Sequence, residues 1–202
     1  MRNFLPLLAA AAISPAAFAQ GADESGWYAG LGYEYLQENN LNFDYQALNL
    51  TGGFDFNQFM GIEGSVSTGI AGDEAVFLGE VMDDGEGGTF TSPTTRDSGD
   101  LNYRVDIVGV ARLPVTERFR VVGKLGVSQY EYERTTSNTE TPDFPAAHSS
   151  EKLNGTSLVA GLGGEFDLTE RISLSGNFNH YEEQGGLKGD VEGFQVALKR
   201  RF

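Results

Sequence analysis

Val191-Glu192-Gly193-Phe194-Gln195-Val196-Ala197-Leu198-Lys199-Arg200-Arg201-Phe202 closes the chain, and its reading decides the fold. Stepping back from Phe202 by twos gives Arg200, Leu198, Val196 and Phe194. The residues between are Arg201, Lys199, Ala197, Gln195 and Gly193. One set is mostly apolar and the other polar or small. Successive side chains of a strand point to opposite faces, so this period of two describes a strand whose two sides meet different media.

Seven further segments repeat the alternation. Gly26 to Gln37 sets Trp27, Ala29, Leu31, Tyr33 and Tyr35 against Gly30, Gly32 and Glu34. Tyr45 to Phe56 sets Leu48, Leu50, Gly52, Phe54 and Phe56 against Ala47, Asn49, Thr51, Gly53 and Asp55. The third sets Met60, Ile62, Gly64, Val66 and Ile70 against Glu63, Ser65 and Ser67. Leu101 to Leu113 sets Leu101, Tyr103, Val105, Ile107, Ala111 and Leu113 against Asn102, Arg104, Asp106 and Arg112. The fifth opposes Phe119, Val121, Leu125 and Val127 to Arg120, Lys124 and Ser128. The sixth, Gly155 to Leu168, opposes Leu158, Ala160, Leu162, Phe166 and Leu168 to Ser157, Gly161, Gly163 and Glu165. The seventh opposes Ile172, Leu174 and Phe178 to Arg171, Ser173, Ser175, Asn177 and Asn179. Segments of this kind match the roughly 9–11 residues with which a tilted strand crosses the hydrocarbon.

The connections sort by length. Those after the second, fourth and sixth segments are short, whereas Glu38–Asp44, Ala71–Asp100, Arg134–Asn154 and Glu182–Asp190 are longer. Strict alternation of short and long links places every long loop at one end, the asymmetry of a membrane barrel with short inner turns and long outer loops.

Residues 1–19 read as a secretory signal: Arg2, an apolar run from Phe4 to Ile13, and Ala17-Phe18-Ala19 before Gln20. The domain boundaries expected are therefore 1–19 for the signal and 20–202 for one barrel domain. Loss of Arg2 takes the formal charge from −15 to −16. So acidic a chain repels phosphates, and nucleic acid is not an expected partner. It has no cysteine, hence no disulfide framework, and no long apolar run that reads as a membrane helix. A closed hydrogen-bonded barrel is one way to hold such a chain together.

Alternation alone does not say which face meets lipid. A soluble lipocalin-like barrel turns its apolar set inward. The apolar set here is almost free of charge, Arg200 excepted, and carries aromatics near its ends, including Trp27, Phe54, Tyr103, Phe119, Phe178 and Phe202. Both features favour lipid outside.

Trp27-Tyr28-Ala29-Gly30-Leu31-Gly32-Tyr33, the hairpin Gly52 to Gly64, the hairpin Leu113 to Gly126 and the terminal Phe202 together resemble the OmpA-like and opacity-type eight-stranded barrels of Gram-negative outer membranes. The resemblance implies an all-β, eight-stranded antiparallel up-and-down transmembrane β-barrel, exported to the outer membrane and surrounded by lipid and lipopolysaccharide. It also implies that Phe202 is an assembly signal for the barrel-assembly machinery. Such folds host several activities. The role expected here is non-enzymatic, structural or surface-interacting through four external loops. A narrow small-solute channel is the alternative, and a lipid A-modifying enzyme a third.

Inside so small a barrel, charges must pair. Glu63, Asp106 and Glu165 are expected to pair with Arg104, Arg112 and Lys124, while Arg120, Arg171, Lys199 and Arg201 lie nearer the periplasmic mouth. The acidic run Asp83-Asp84-Gly85-Glu86-Gly87-Gly88 lacks the spacing of a calcium loop and reads as solvated. The loop from Arg134 to Asn154 carries no motif beyond mobility. His180 invites comparison with lipid A deacylases, which use a His with a Ser two residues on, but the residue there is Glu182. No catalytic residue, metal site or cofactor is expected.

Overall fold

The computed structural model describes residues 26–39, 43–83, 85, 88–185 and 189–202; the expected signal segment lies outside the described residues. The strands are β1 Gly26–Glu38, β2 Phe43–Asp55, β3 Met60–Ala71, β4 Asp73–Phe77, β5 Val81–Asp83, β6 Thr89–Thr91, β7 Thr95–Pro114, β8 Phe119–Asn138, β9 Ala147–Asp167, β10 Ile172–Gly185 and β11 Val191–Arg201. Eight of them, β1–β3 and β7–β11, close into an antiparallel barrel. The neighbours run β3-β2-β1-β11-β10-β9-β8-β7, and β7 returns to β3. Closure of the first strand on the last is carried by an eleven-residue ladder from Tyr28↔Arg201 to Glu38↔Val191. A closed ladder leaves no backbone edge to lipid within the barrel.

The faces divide as a membrane requires. Leu31, Leu50, Ile62, Ile107, Leu125, Leu162, Phe178 and Leu198 are exposed, whereas Glu34, Glu63, Arg104, Lys124, Glu165 and Lys199 are buried. That excludes the soluble-barrel alternative, in which the apolar set would fill the lumen.

The three short turns are built alike. Asn57 Oδ1 accepts from the amides of Phe59 and Met60 at 2.8 and 2.9 Å. Thr116 Oγ1 accepts from Arg118 and Phe119 at 3.3 and 3.0 Å. Thr169 Oγ1 does the same for Arg171 and Ile172, also at 3.3 and 3.0 Å. In each, a side-chain oxygen takes amides that a four-residue turn leaves without a ladder partner.

Three strands run past the expected boundaries. β7, β8 and β9 hold 20, 20 and 21 residues. About ten suffice to cross a bilayer, so each carries a comparable length beyond it. There β4 pairs with β7 from Asp73↔Gly99 to Phe77↔Thr95, and β8 pairs with β9 as far as Asn138↔Ala147. A four-stranded sheet, β4-β7-β8-β9, thus stands above the barrel where loops were expected, with the short β5–β6 hairpin beside it. Two residues, Leu101 and Asn102, are on the wrong side of the sequence reading as well. A register shift between Leu101 and Tyr103 turns Leu101 into the lumen, where it is buried, although strict alternation put it toward lipid.

Candidate functional site

The lumen is filled in two levels. At the level nearer the short turns, Glu63 Oε1 accepts from Lys124 Nζ at 2.7 Å and Glu63 Oε2 from Lys199 Nζ at 2.6 Å. The Tyr28 hydroxyl donates to the same carboxylate at 2.9 Å and accepts from Arg112 Nη2 at 3.2 Å. Arg112 holds Asp55 at 2.5 Å and stands 3.8 Å from Glu165. Glu165 also takes Arg120 at 2.8 Å and Arg201 at 2.9 Å, and Asp167 closes the rim against both arginines. Each carboxylate meets at least one cation, the condition for keeping ions out of water.

Packing places these groups. Tyr28 lies against Gly53, where a Cβ would come 2.3 Å from the ring, so glycine makes room for the phenol to reach Glu63. Lys199 faces Gly30 on one side and Ser173 on the other, two small residues that let its long stem fold inward.

The level nearer the long loops is different in kind. Arg104 lies 3.8 Å from the ring centre of Tyr181 and donates to the Tyr132 hydroxyl. Tyr181 and Ser67 donate to Glu34 at 2.8 and 3.1 Å. Asp106 accepts from Ser65 at 3.0 Å. Around them Leu36, Phe43, Tyr45, Leu101, Tyr130, Tyr132, Val159 and Val191 form an apolar and aromatic cluster.

Of the six residues expected to form one network, Glu63, Arg112, Lys124 and Glu165 lie in the lower level, and Arg104 and Asp106 in the upper. Lys199, expected near the mouth, is sealed at the centre with its side chain 4 % exposed. Arg120 and Arg201 do lie at the rim, and Arg171 is exposed in a turn. Sequence reasoning missed Tyr28, Glu34 and Asp55 as partners, although each shares the inward parity of its strand. It missed the aromatic cluster because inward Tyr and Val look like core anywhere.

Above the bilayer, charge pairs stitch the sheet. Arg134 and the Thr136 hydroxyl hold Asp97 at 2.7 and 2.6 Å, and these bonds, the hydroxyl's first, keep its carboxyl below the usual range. Lys152 bonds Glu131 at 2.9 Å on the outer face, lowering that carboxyl and raising its own ammonium. Beside β4 an apolar patch stands open: Phe77 is 60 % exposed, Leu78 79 % and Val81 70 %, with Phe90 and Phe144 edge to face at 6.1 Å. Glu74, Glu80 and Asp83 flank it in sequence, Asp143 accepts from the Thr91 amide at 3.2 Å, and part of the acidic run beyond Asp83 lies outside the described residues. His180 sits on the outward face 3.8 Å from Asp190. No His/Cys/Asp/Glu group among the described residues is arranged to hold a metal ion.

A closed eight-stranded barrel with lipid-facing apolar side chains and a polar, filled interior is the architecture of small outer-membrane proteins. The chain belongs to the outer membrane protein beta-barrel domain family, whose model matches residues 5–202. Among solved structures it is similar to Ail, the attachment invasion locus protein of Yersinia pestis, at 18 % identity and a TM-score of 0.50 over 88 % of this chain and 97 % of that one. It is also similar to Neisserial surface protein A, at 9 % identity and a TM-score of 0.52 over 88 % and 98 %. At such identities the likeness shows the fold alone. No curated protein matches the chain.

Proposed function

We propose that this outer-membrane barrel is a non-enzymatic surface-interaction protein that presents the β4-β7-β8-β9 sheet and its apolar patch to the outside. The carrying observation is that patch. Large apolar side chains held open in water, at the far end of strands longer than a bilayer needs, are best explained by a partner. The lumen supports the same reading. The space between Glu63, Asp106, Lys124 and Tyr181 is a void of only about 10 Å³. That is the least that holds a single water, so a continuous file of solute has no path.

Two other readings have less support. A channel needs the ion cluster and the tyrosines above it to part together. A lipid A deacylase of the kind suggested by His180 needs a serine where Glu182 stands. One crystal structure of Ail holds the heparin analogue sucrose octasulfate. A polyanion of that kind is a poor fit here, because the external strands carry Glu74, Asp100, Glu131, Glu133 and Glu151 against Arg96, Arg134 and Lys152. The partner that fits is apolar and cationic.

Planar-bilayer recording of the refolded protein tests the sealed lumen, and no reproducible conductance step is expected. The patch is tested by whole cells carrying wild type or the triple variant Phe77→Ser, Leu78→Ser, Val81→Ser. Retention of cells on a surface coated with a Lys/Leu amphipathic peptide should fall for the variant at equal surface display. Equal retention, or a steady open pore, overturns the proposal.

A further inference from the structure

We propose that Arg200, with Trp27 and Phe202, forms a binding site for the phosphate of an anionic phospholipid headgroup at the periplasmic rim of the barrel. Arg200 is a cation of the last strand that the lumen does not use. Its cross-strand neighbours are Ala29 and Ile172, both on the lipid-facing side. Leu198, two residues before it on the same face, is exposed in the apolar band. Arg112, Arg120, Lys199 and Arg201 all turn inward onto carboxylates. Among the described residues no carboxylate comes within 4.0 Å of Arg200; the Phe202 ring lies 5.6 Å from its guanidinium.

A guanidinium does not lose its proton, and burying it in hydrocarbon without an anion is costly. On this face it must reach the headgroups, and the depth is right. Trp27, 66 % exposed, packs its ring 5.0 Å from Phe54, and its carbonyl accepts from the Phe202 amide at 3.0 Å. An exposed indole packed on a phenyl ring marks the boundary between hydrocarbon and headgroup. Exposed Arg171 in the adjoining turn adds positive potential, while Glu170 beside it is the nearest acidic residue in sequence on that turn. The face that binds is the short-turn end, so the phosphate offered there belongs to a phospholipid of the periplasmic leaflet. A guanidinium matches a phosphate in a planar, two-point fashion, and the aromatic platform fixes its height.

Trp27 is the single tryptophan of the chain and borders the site, so it reports directly on what binds. The protein is refolded into phosphatidylcholine vesicles containing either brominated phosphatidylglycerol or brominated phosphatidylcholine, and Trp27 quenching is compared at equal mole fraction. The wild type should favour phosphatidylglycerol about fivefold, the factor for one basic residue at an anionic surface. Arg200→Leu should bring the ratio to one, and Arg200→Lys should keep part of it. Heat-modifiable gel migration of each variant reports that it has folded. Equal quenching by the two lipids in the wild type, or an unchanged preference in Arg200→Leu, overturns the proposal. So does loss of the preference on adding inorganic phosphate, which would assign the site to the free anion.

Discussion

Glu63 carries two ammonium groups and a phenol on one carboxylate, all of them buried. Removing its charge by Glu63→Gln leaves Lys124 and Lys199 facing each other, with Glu165, 4.0 Å from Lys199, as the nearest remaining anion. The expected loss is about 3–5 kcal/mol, the cost of an uncompensated buried charge. At the rim, Asp167→Asn leaves Arg120 and Arg201 still held by Glu165 in a more solvated setting, and about 1 kcal/mol is expected. Urea titration of the refolded barrel measures both, and the reverse order would mean that the lower lumen is hydrated. Gly53→Ala should cost about 1–3 kcal/mol through the Tyr28 ring it would displace. At this scale strand parity made Glu63, Arg112, Lys124 and Glu165 legible. The central place of Lys199 was not legible, because it depends on which small residues β11 meets on β1 and β10, a matter of register across a distance of many residues.

Elements show the same division. The turns were legible as breaks in alternation, but their common construction rests on Asn57, Thr116 and Thr169, each the second residue of its link. Thr116→Ala and Thr169→Ala should each lower stability by about 1 kcal/mol in the same urea titration, the net worth of a hydrogen bond. The outer halves of β7–β9 were read as loops for a physical reason. Above the bilayer both faces of a strand meet water, so the contrast that reveals a membrane strand vanishes. Leu101 was misplaced because a bulge resets the count by one. The extramembrane sheet should have its own pH response. Asp97 is held below its ordinary pKa, so the stability it adds is present above the unfolded value, near pH 3.9, and is lost as pH falls through the lower folded value. Hydrogen exchange should show β7 and β8 above Arg104 opening in that acid window while the barrel stays protected, and Asp97→Asn should remove the dependence.

The whole molecule is an inside-out protein: its outward surface is the apolar one, and its ions and tyrosines are the core. A closed ladder of eight strands has no edge from which to unzip, so the folded chain should resist detergent and migrate faster on an unboiled gel than on a boiled one. Phe202 stands 77 % exposed at the short-turn end of the last strand. We expect its deletion to lower the amount of heat-modifiable protein in the outer membrane without changing the stability of what is inserted, the result required of an assembly signal. Fold, orientation of faces and sidedness of loops were all legible from period and link length. The apolar tip was not, because exposed hydrophobic residues in a long link carry no period.

The chain has no cysteine, so a single one can be placed at will. Spin labels at each position from 47 to 54 along β2, in vesicles, measure access to oxygen from the lipid and to a nickel chelate from water. The account predicts a period of two, with 48, 50, 52 and 54 accessible to oxygen and 47, 49, 51 and 53 shielded from it. The opposite phase, or no period, contradicts it.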